Sequence, residues 1–146
     1  MKREYPDQPL VGVGAVVLSG DRVLLVRRGG QPSSGKWSLP GGLVEMGETT
    51  VEAICRELAE ECHLRIRIAG VAGVIDRIVR DEAGRVRYHY VLVDYLAYAD
   101  SEAVTADNDA AEARWVEVDE VERLDVTEGL VDMIRRARRL REEGPR

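Results

Sequence analysis

GGLVEMGETTVEAICRELAEECHL, residues 41–64, sets two glycines and a turn before a helix whose acidic side chains crowd one side. Thr49 with Glu52 three residues on supplies a capping box, so the helix is expected to begin at about Thr50. Val51, Ile54, Leu58 and Cys62 form its apolar stripe at about 100° per residue. Glu57, Glu60 and Glu61 stand at i, i+3 and i+4 and project as neighbours. Like charges so spaced cost a helix roughly 0.2–0.5 kcal/mol per pair, and the adjacent Arg56 and Arg65 are too few to offset all three. Glu61 lies at the edge of the stripe, pointing into the protein body, where an unpaired charge is costly. A charge run is ordinarily a solvated face. The alternative is a hard divalent cation, Mg²⁺ or Mn²⁺, which takes carboxylate, carbonyl and water oxygens.

The flanking residues favour the cation. From Gly42 come five residues, Glu48, seven residues, and then Arg56-Glu57-Leu58-Ala59-Glu60-Glu61-Cys62-His63-Leu64. This spacing resembles the Nudix box, G-x5-E-x7-R-E-U-x-E-E-x-G-U with U aliphatic, and eight of its nine specified positions match. His63 stands where the box has glycine. That position follows the helix and is a C′ site, where the chain turns through the left-handed region. Histidine is among the residues enriched there, so His63 is expected to cap the helix at a small stability cost.

Composition limits the other classes. A chain of 146 residues suits one domain with a sizeable core, here residues 1–146 with 1–8 as a loose arm. A net charge of −6 argues against a protein that coats nucleic acid. No run approaches the ~20 apolar residues of a membrane span, and the first residues lack a signal peptide's apolar region. The cytoplasm is therefore the expected compartment. Cys55 and Cys62 are seven residues apart on the helix, roughly 10 Å at about 1.5 Å per residue, which is too far for a disulfide.

Taken in order, Val11–Leu18 and Arg22–Arg28 read as strands joined by a tight turn at Ser19-Gly20-Asp21. Residues 29–35 read as loop, and Trp37–Leu39 as strand. After the acidic helix, Arg65–Val79 is a strand with Gly70 and Gly73 at bulges or bends, and Val86–Ala97 is its return strand. Tyr98–Ala113 is polar and loop-like, and Trp115–Val118 is a last short strand. Thr127 is a cap for a terminal helix bearing Leu130, Met133, Ile134, Ala137 and Leu140 at helical spacing. Strands interrupted by one helix and closed by another imply an α/β fold, a mixed β-sheet sandwiched between helices as α/β/α. The Nudix resemblance implies the same layout.

It also implies a chemistry, the attack of water on a phosphorus atom of a nucleoside diphosphate joined to another moiety. Carried over by position, Glu57 and Glu61 are the metal ligands, Glu60 completes the cluster or positions water, and the Gly41 carbonyl adds an oxygen. Arg56 and Glu48 are expected to be a charged pair that orients loop against helix. Glu112, just before Trp115, is the candidate general base, with Asp107 and Asp109 as rivals. The surrounding text, VIDRIVRDEAGRVRYHYVLVDYLA with DAAEARWV, resembles small Nudix proteins that act on ADP-ribose. A nucleoside-triphosphate pyrophosphatase and a non-catalytic nucleotide sensor stay open as alternatives. The expected partner is a small nucleotide, with neither nucleic acid nor membrane, and a homodimer is left open. Arg27, Arg28, Arg77 and Arg80 are either phosphate contacts or solvated strand ends, and Trp37 either stacks on a base or anchors a loop.

Overall fold

A computed structural model describes residues 2–30, 35–108 and 110–144. The strands are β1 (Leu10–Ser19), β2 (Arg22–Arg28), β3 (Trp37–Ser38), β4 (Gly41–Leu43), β5 (Ile66–Arg80), β6 (Val86–Ala99) and β7 (Ala110–Glu117). The helices are α1 (Thr50–Cys62) and α2 (Leu130–Glu143). The strand order is β3-β2-β1-β6-β5, with β4 added to β1 and β7 to β2. β1 and β6 run parallel while the other strand pairs are antiparallel, so the sheet is mixed.

β1 is buried on both faces, which is why it reads as a continuous apolar run rather than an alternation. Val13, Ala15 and Val17 pack with Ala53, Ile54, Leu58 and Cys62 of α1. Val16 and Leu18 pack on the other side with Leu130, Met133, Ile134 and Ala137 of α2. The result is the three-layer α/β/α sandwich expected from the sequence.

α1 begins at Thr50, and both halves of the Thr49–Glu52 capping box are present. It ends as expected on His63, at φ 55° and ψ 38°, whose backbone N–H returns to Ala59 O at 3.2 Å. The imidazole Nε2 meets Asp107 at 2.9 Å with both side chains about half exposed. His63→Gly should relieve the left-handed Cβ penalty and lose an exposed pair of similarly small value. Thermal unfolding is therefore expected to shift by no more than about 1 kcal/mol-equivalent, with activity kept; loss of most divalent-metal affinity would instead make the imidazole a ligand.

Gly70 and Gly73 mark register shifts between β5 and β6, as the sequence suggested. They also let α2 close on the sheet. A Cβ at Gly70 would come within 3.0 Å of Leu140, and one at Gly73 would come within 2.8 Å of Arg136.

Three local readings need correction. Val51 is exposed instead of joining the apolar stripe of α1. Of Tyr98–Ala113, read as loop, Tyr98 and Ala99 extend β6 by pairing with β5, and residues 110–113 belong to β7, because their backbone pairs with β2 despite alanine's poor strand propensity. Thr127 does not cap α2 with its side chain; the N-cap is Gly129 at φ 83°. Thr127 instead gives its backbone N–H to Trp37 O, beside a parallel bridge of Val126 to Trp37 that holds this segment extended. In the N-terminal arm, Tyr5 donates its backbone N–H to Arg87 O and its hydroxyl to Asp81, and Glu4 pairs with Arg87. No helix among the described residues is long and apolar enough to cross a membrane.

Candidate active site

The site forms where β4 and the end of β2 meet α1. Gly41 has φ 156°, and a Cβ there would lie 1.9 Å from Val13 O, so only glycine fits beside β1. A Cβ at Gly42 would fall 2.5 Å from Glu57 Oε1. The two glycines thus let backbone approach closely, and what approaches is the Glu57 carboxylate. On the next turn of α1, Glu61 is buried, with Oε2 accepting the Gly41 N–H at 3.2 Å.

The acidic side chains are offset by two arginines. Arg56 grips Glu48 through two parallel bonds, Nε to Oε2 at 2.7 Å and Nη2 to Oε1 at 2.9 Å. Its Nη1 donates to Glu57 at 2.9 Å and Glu60 at 3.2 Å, and Nη2 also donates to Leu43 O at 3.0 Å. Arg28 supplies the second charge. Its Nη1 donates to Glu61 Oε1 at 3.0 Å and Gly41 O at 3.2 Å, and its Nη2 to Leu39 O at 2.7 Å. The expectation that local basic residues leave the cluster unbalanced is therefore corrected: Arg28 arrives from a strand more than thirty positions away, where helical spacing has no view of it.

Titration follows this geometry. Hydrogen bonds from Arg56 pull the Glu48 carboxyl down to about 2. Burial pushes Glu61 up to about 7 against the opposing charge of Arg28, and burial raises Glu57 against Arg56. Burial also raises the Cys62 thiol to about 12, an inert core group. Opposite pH responses of stability follow. Glu48 sits below its ordinary 4.5, so its contribution is present above 4.5 and lost as pH falls towards 2. Glu61 sits above 4.5, so the folded state holds the extra proton and stability declines as pH rises from 4.5 to about 7. Melting in chelator from about pH 2 to 8 is expected to show both limbs, with Glu61→Gln flattening the upper and Glu48→Gln the lower. An upper limb unchanged in Glu61→Gln would remove that assignment.

The other sequence candidates lie apart from this cluster. Glu112 is opposite Arg27 in the β2–β7 ladder and pairs with it at 3.2 Å. Val26 packs on the α1 side and Leu25 on the α2 side, so alternation along β2 puts Arg28 on the face of α1 and Arg27, with Glu112, on the other. Asp107 lies at the end of α1, its backbone N–H on Glu61 O and its carboxylate on His63. Asp109 falls outside the described residues.

A cleft of about 250 Å³ opens from Gly41, Gly42 and Glu57 across β1 and β6 to the start of α2. Its lining includes Asp94, a buried carboxylate raised to about 6 by burial, with Arg77 opposing. Sequence reasoning missed Asp94 and the role of Arg28. The only available signal was a lone acid in the apolar run Val91-Leu92-Val93-Asp94-Tyr95-Leu96.

The donor chemistry suits a hard cation, with Glu57, Glu61, Glu60 and the Gly41 carbonyl all offering oxygen. Among the described residues no three acidic, histidine or cysteine side chains converge to hold an ion as they stand. Arg28 draws Glu61 to one side while Arg56 draws Glu57 and Glu60 to the other.

Residues 8–137 match the profile of the NUDIX domain. The chain belongs to the Nudix family. An ADP-ribose pyrophosphatase of Methanocaldococcus jannaschii is 31% identical over 116 residues, which cover 80% of this chain and 66% of that protein. A MutT NUDIX hydrolase from Burkholderia pseudomallei has a crystal structure with TM-score 0.74 and 29% identity, covering 89% of this chain and 98% of that one. A bifunctional NMN adenylyltransferase/ADP ribose pyrophosphatase from Francisella tularensis, solved with AMP and a Mn ion, aligns at TM-score 0.67 and 26% identity. That alignment covers 93% of this chain and 42% of the Francisella chain. The chain spans from half to two thirds of the length of the first curated relatives it matches. In Nudix terms, the box runs from β4 through α1, and its one departure, His63, keeps the left-handed turn that the glycine would make.

Proposed function

We propose that this Nudix chain is a pyrophosphohydrolase that cleaves the phosphoanhydride of a nucleoside diphosphate joined to another moiety, ADP-ribose or a related nucleotide sugar. The observation that carries the reading is the buried Glu61 carboxylate beside Glu57, both set against the Gly41-Gly42 backbone at the mouth of a cleft of about 250 Å³. Glu57, Glu61, Glu60 and the Gly41 carbonyl would hold Mg²⁺ or Mn²⁺, which when bound neutralises phosphate oxygens and makes a water more acidic. The chain's own residues do the rest. Arg56, clamped on Glu48 and Leu43 O, holds the 43–48 loop against α1 and keeps Glu57 in place. Glu60, the most exposed of the three helix acids, is the carboxylate available to orient water and take its proton. The pyrophosphatase of Methanocaldococcus and the Mn-bearing Francisella structure support substrate class and metal, and free Cys55 and Cys62 suit a cytoplasmic enzyme.

The test is a nucleotide panel with Mg²⁺, Mn²⁺ or chelator, products identified. AMP and ribose 5-phosphate from ADP-ribose are expected, and activity should vanish in chelator. Release of inorganic pyrophosphate from nucleoside triphosphates alone would make this a triphosphate pyrophosphatase. Glu112→Gln is expected to leave kcat within about threefold at saturating metal, since a side chain on the far face takes no proton at the cluster. A drop of the roughly 10²–10⁴-fold typical of a lost general base would restore Glu112 to that role.

A further inference from the structure

Asp94 sits mid-strand in β6, beside Gly14 of the parallel strand β1, and is 7% exposed. Its carboxylate has no hydrogen bond and no ion pair among the described residues. Asp94 lines the cleft, so the hydrogen bonds that its oxygens accept come from whatever occupies the cleft, water or a ligand. The neighbouring strand is shaped to admit it, since a Cβ at Gly14 would stand 2.5 Å from Asp94 Oδ1. Arg77 lends positive charge without a hydrogen bond to Asp94, and its Nη2 donates to Glu128 O at 2.5 Å. The cleft that Asp94 lines has apolar Leu39, Ile75, Leu92 and Met133 in its walls, along with polar Ser38, Arg77, Tyr90 and Thr127. The same cleft reaches Glu57 and the paired glycines, so a ligand with phosphates at that end extends its other end over Asp94.

An ionised carboxylate only accepts hydrogen bonds, and the apolar side chains that share the cleft with it offer a flat ring a face to lie against. We propose that Asp94 is a specificity-determining residue that accepts a hydrogen bond from an N–H on the nucleobase of the substrate. The inference rests on the nucleotide-hydrolase reading above and names the group that selects the base.

The test uses the full chain with Mg²⁺ and compares wild type with Asp94→Asn and Asp94→Leu. Substrates are ADP-ribose, its guanine, cytosine and uracil counterparts, and the purine analogue lacking the amine. Wild type is expected to favour the amine-bearing purine over the amine-less one by about 10- to 100-fold in KM, the scale of a hydrogen bond to a charged group. Asp94→Leu should erase that ratio by raising KM for the amine-bearing substrate, with kcat little changed. Asp94→Asn, which keeps one acceptor oxygen, should fall between. Both variants should melt no lower than wild type, because neither buries an unpaired charge. Preference ratios unchanged in Asp94→Leu, or an equal rise in KM for every base, would overturn the proposal. Calorimetric binding of AMP against purine riboside monophosphate, in wild type and Asp94→Leu, separates the two ideas. If wild type hydrolyses nothing in the panel, the hydrolase reading fails. The Asp94 assignment then stands or falls on whether AMP binds more tightly than the amine-less nucleotide and loses that margin in the variant.

Discussion

Glu57→Gln and Glu61→Gln should each lower kcat/KM by about 10²–10⁴-fold, the several kcal/mol of transition-state charge stabilisation that a bound cation supplies. Each substitution keeps the shape of the side chain and removes one formal negative charge. In Glu57→Gln the amide oxygen can still accept from Arg56 Nη1, which in the wild type bonds Glu57 Oε1 at 2.9 Å. In Glu61→Gln the amide oxygen keeps the bond from Arg28 while its NH2 faces the Gly41 N–H, a lost hydrogen bond that is offset by removing a charge that burial already opposes. Melting temperature in chelator should therefore stay within about 3 °C of wild type, roughly 1 kcal/mol for a chain of this size. The two effects must appear together, a large loss of turnover on an intact fold. Titrating Mn²⁺ should recover part of the activity at high concentration, as expected for a weakened ligand set. Near-wild-type turnover in either variant would take that residue out of the site, and a collapse of the melt would turn its role into a structural one.

The legible parts of this fold are those whose causes are local. The Thr49–Glu52 box, the left-handed turn at His63 and the bulges at Gly70 and Gly73 each depend on a few adjacent residues, and all stand where the sequence set them. The sandwich was legible because β1 is apolar on both faces while each helix carries a single stripe. The spacing of Glu57, Glu60, Glu61 and Arg56 likewise lies within one helix and its preceding loop. What escaped depends on distant pairing. Residues 110–113 become strand because β2 offers them hydrogen bonds, and Thr127 is drawn away from α2 by Trp37. Arg28 looked like a solvated strand end until the sheet brought it to Glu61, and Glu112 acquired its face from the β2–β7 register. Asp94 needed both neighbours, since only the parallel pairing with β1 sets it beside Gly14.

Arg56→Ala carries the largest expected loss of stability together with a loss of activity. The guanidinium is four-fifths buried at its side chain and touches four acceptors: Glu48, Glu57, Glu60 and Leu43 O. Truncation leaves the buried Glu57 carboxylate, and the more open Glu48, without their cation. Breaking a buried pair by removing one member costs about 3–5 kcal/mol, and partial solvent access here favours the lower end. At about 2–4 °C per kcal/mol, the melt should fall by roughly 6–12 °C. The loss should be greatest near neutral pH and shrink as pH drops from 4.5 towards 2, because the Glu48 carboxyl is held down by this same arginine. Arg56→Lys should recover little, since a single ammonium cannot make the parallel bonds to Glu48 while also reaching Glu57 and Leu43 O. Turnover should fall along with metal affinity, the roughly 10–100-fold cost of losing a group that orients ligands, and excess Mg²⁺ should restore part of it. A group that acted directly on phosphate would show otherwise: an unchanged melt, and a kcat that no concentration of metal brings back.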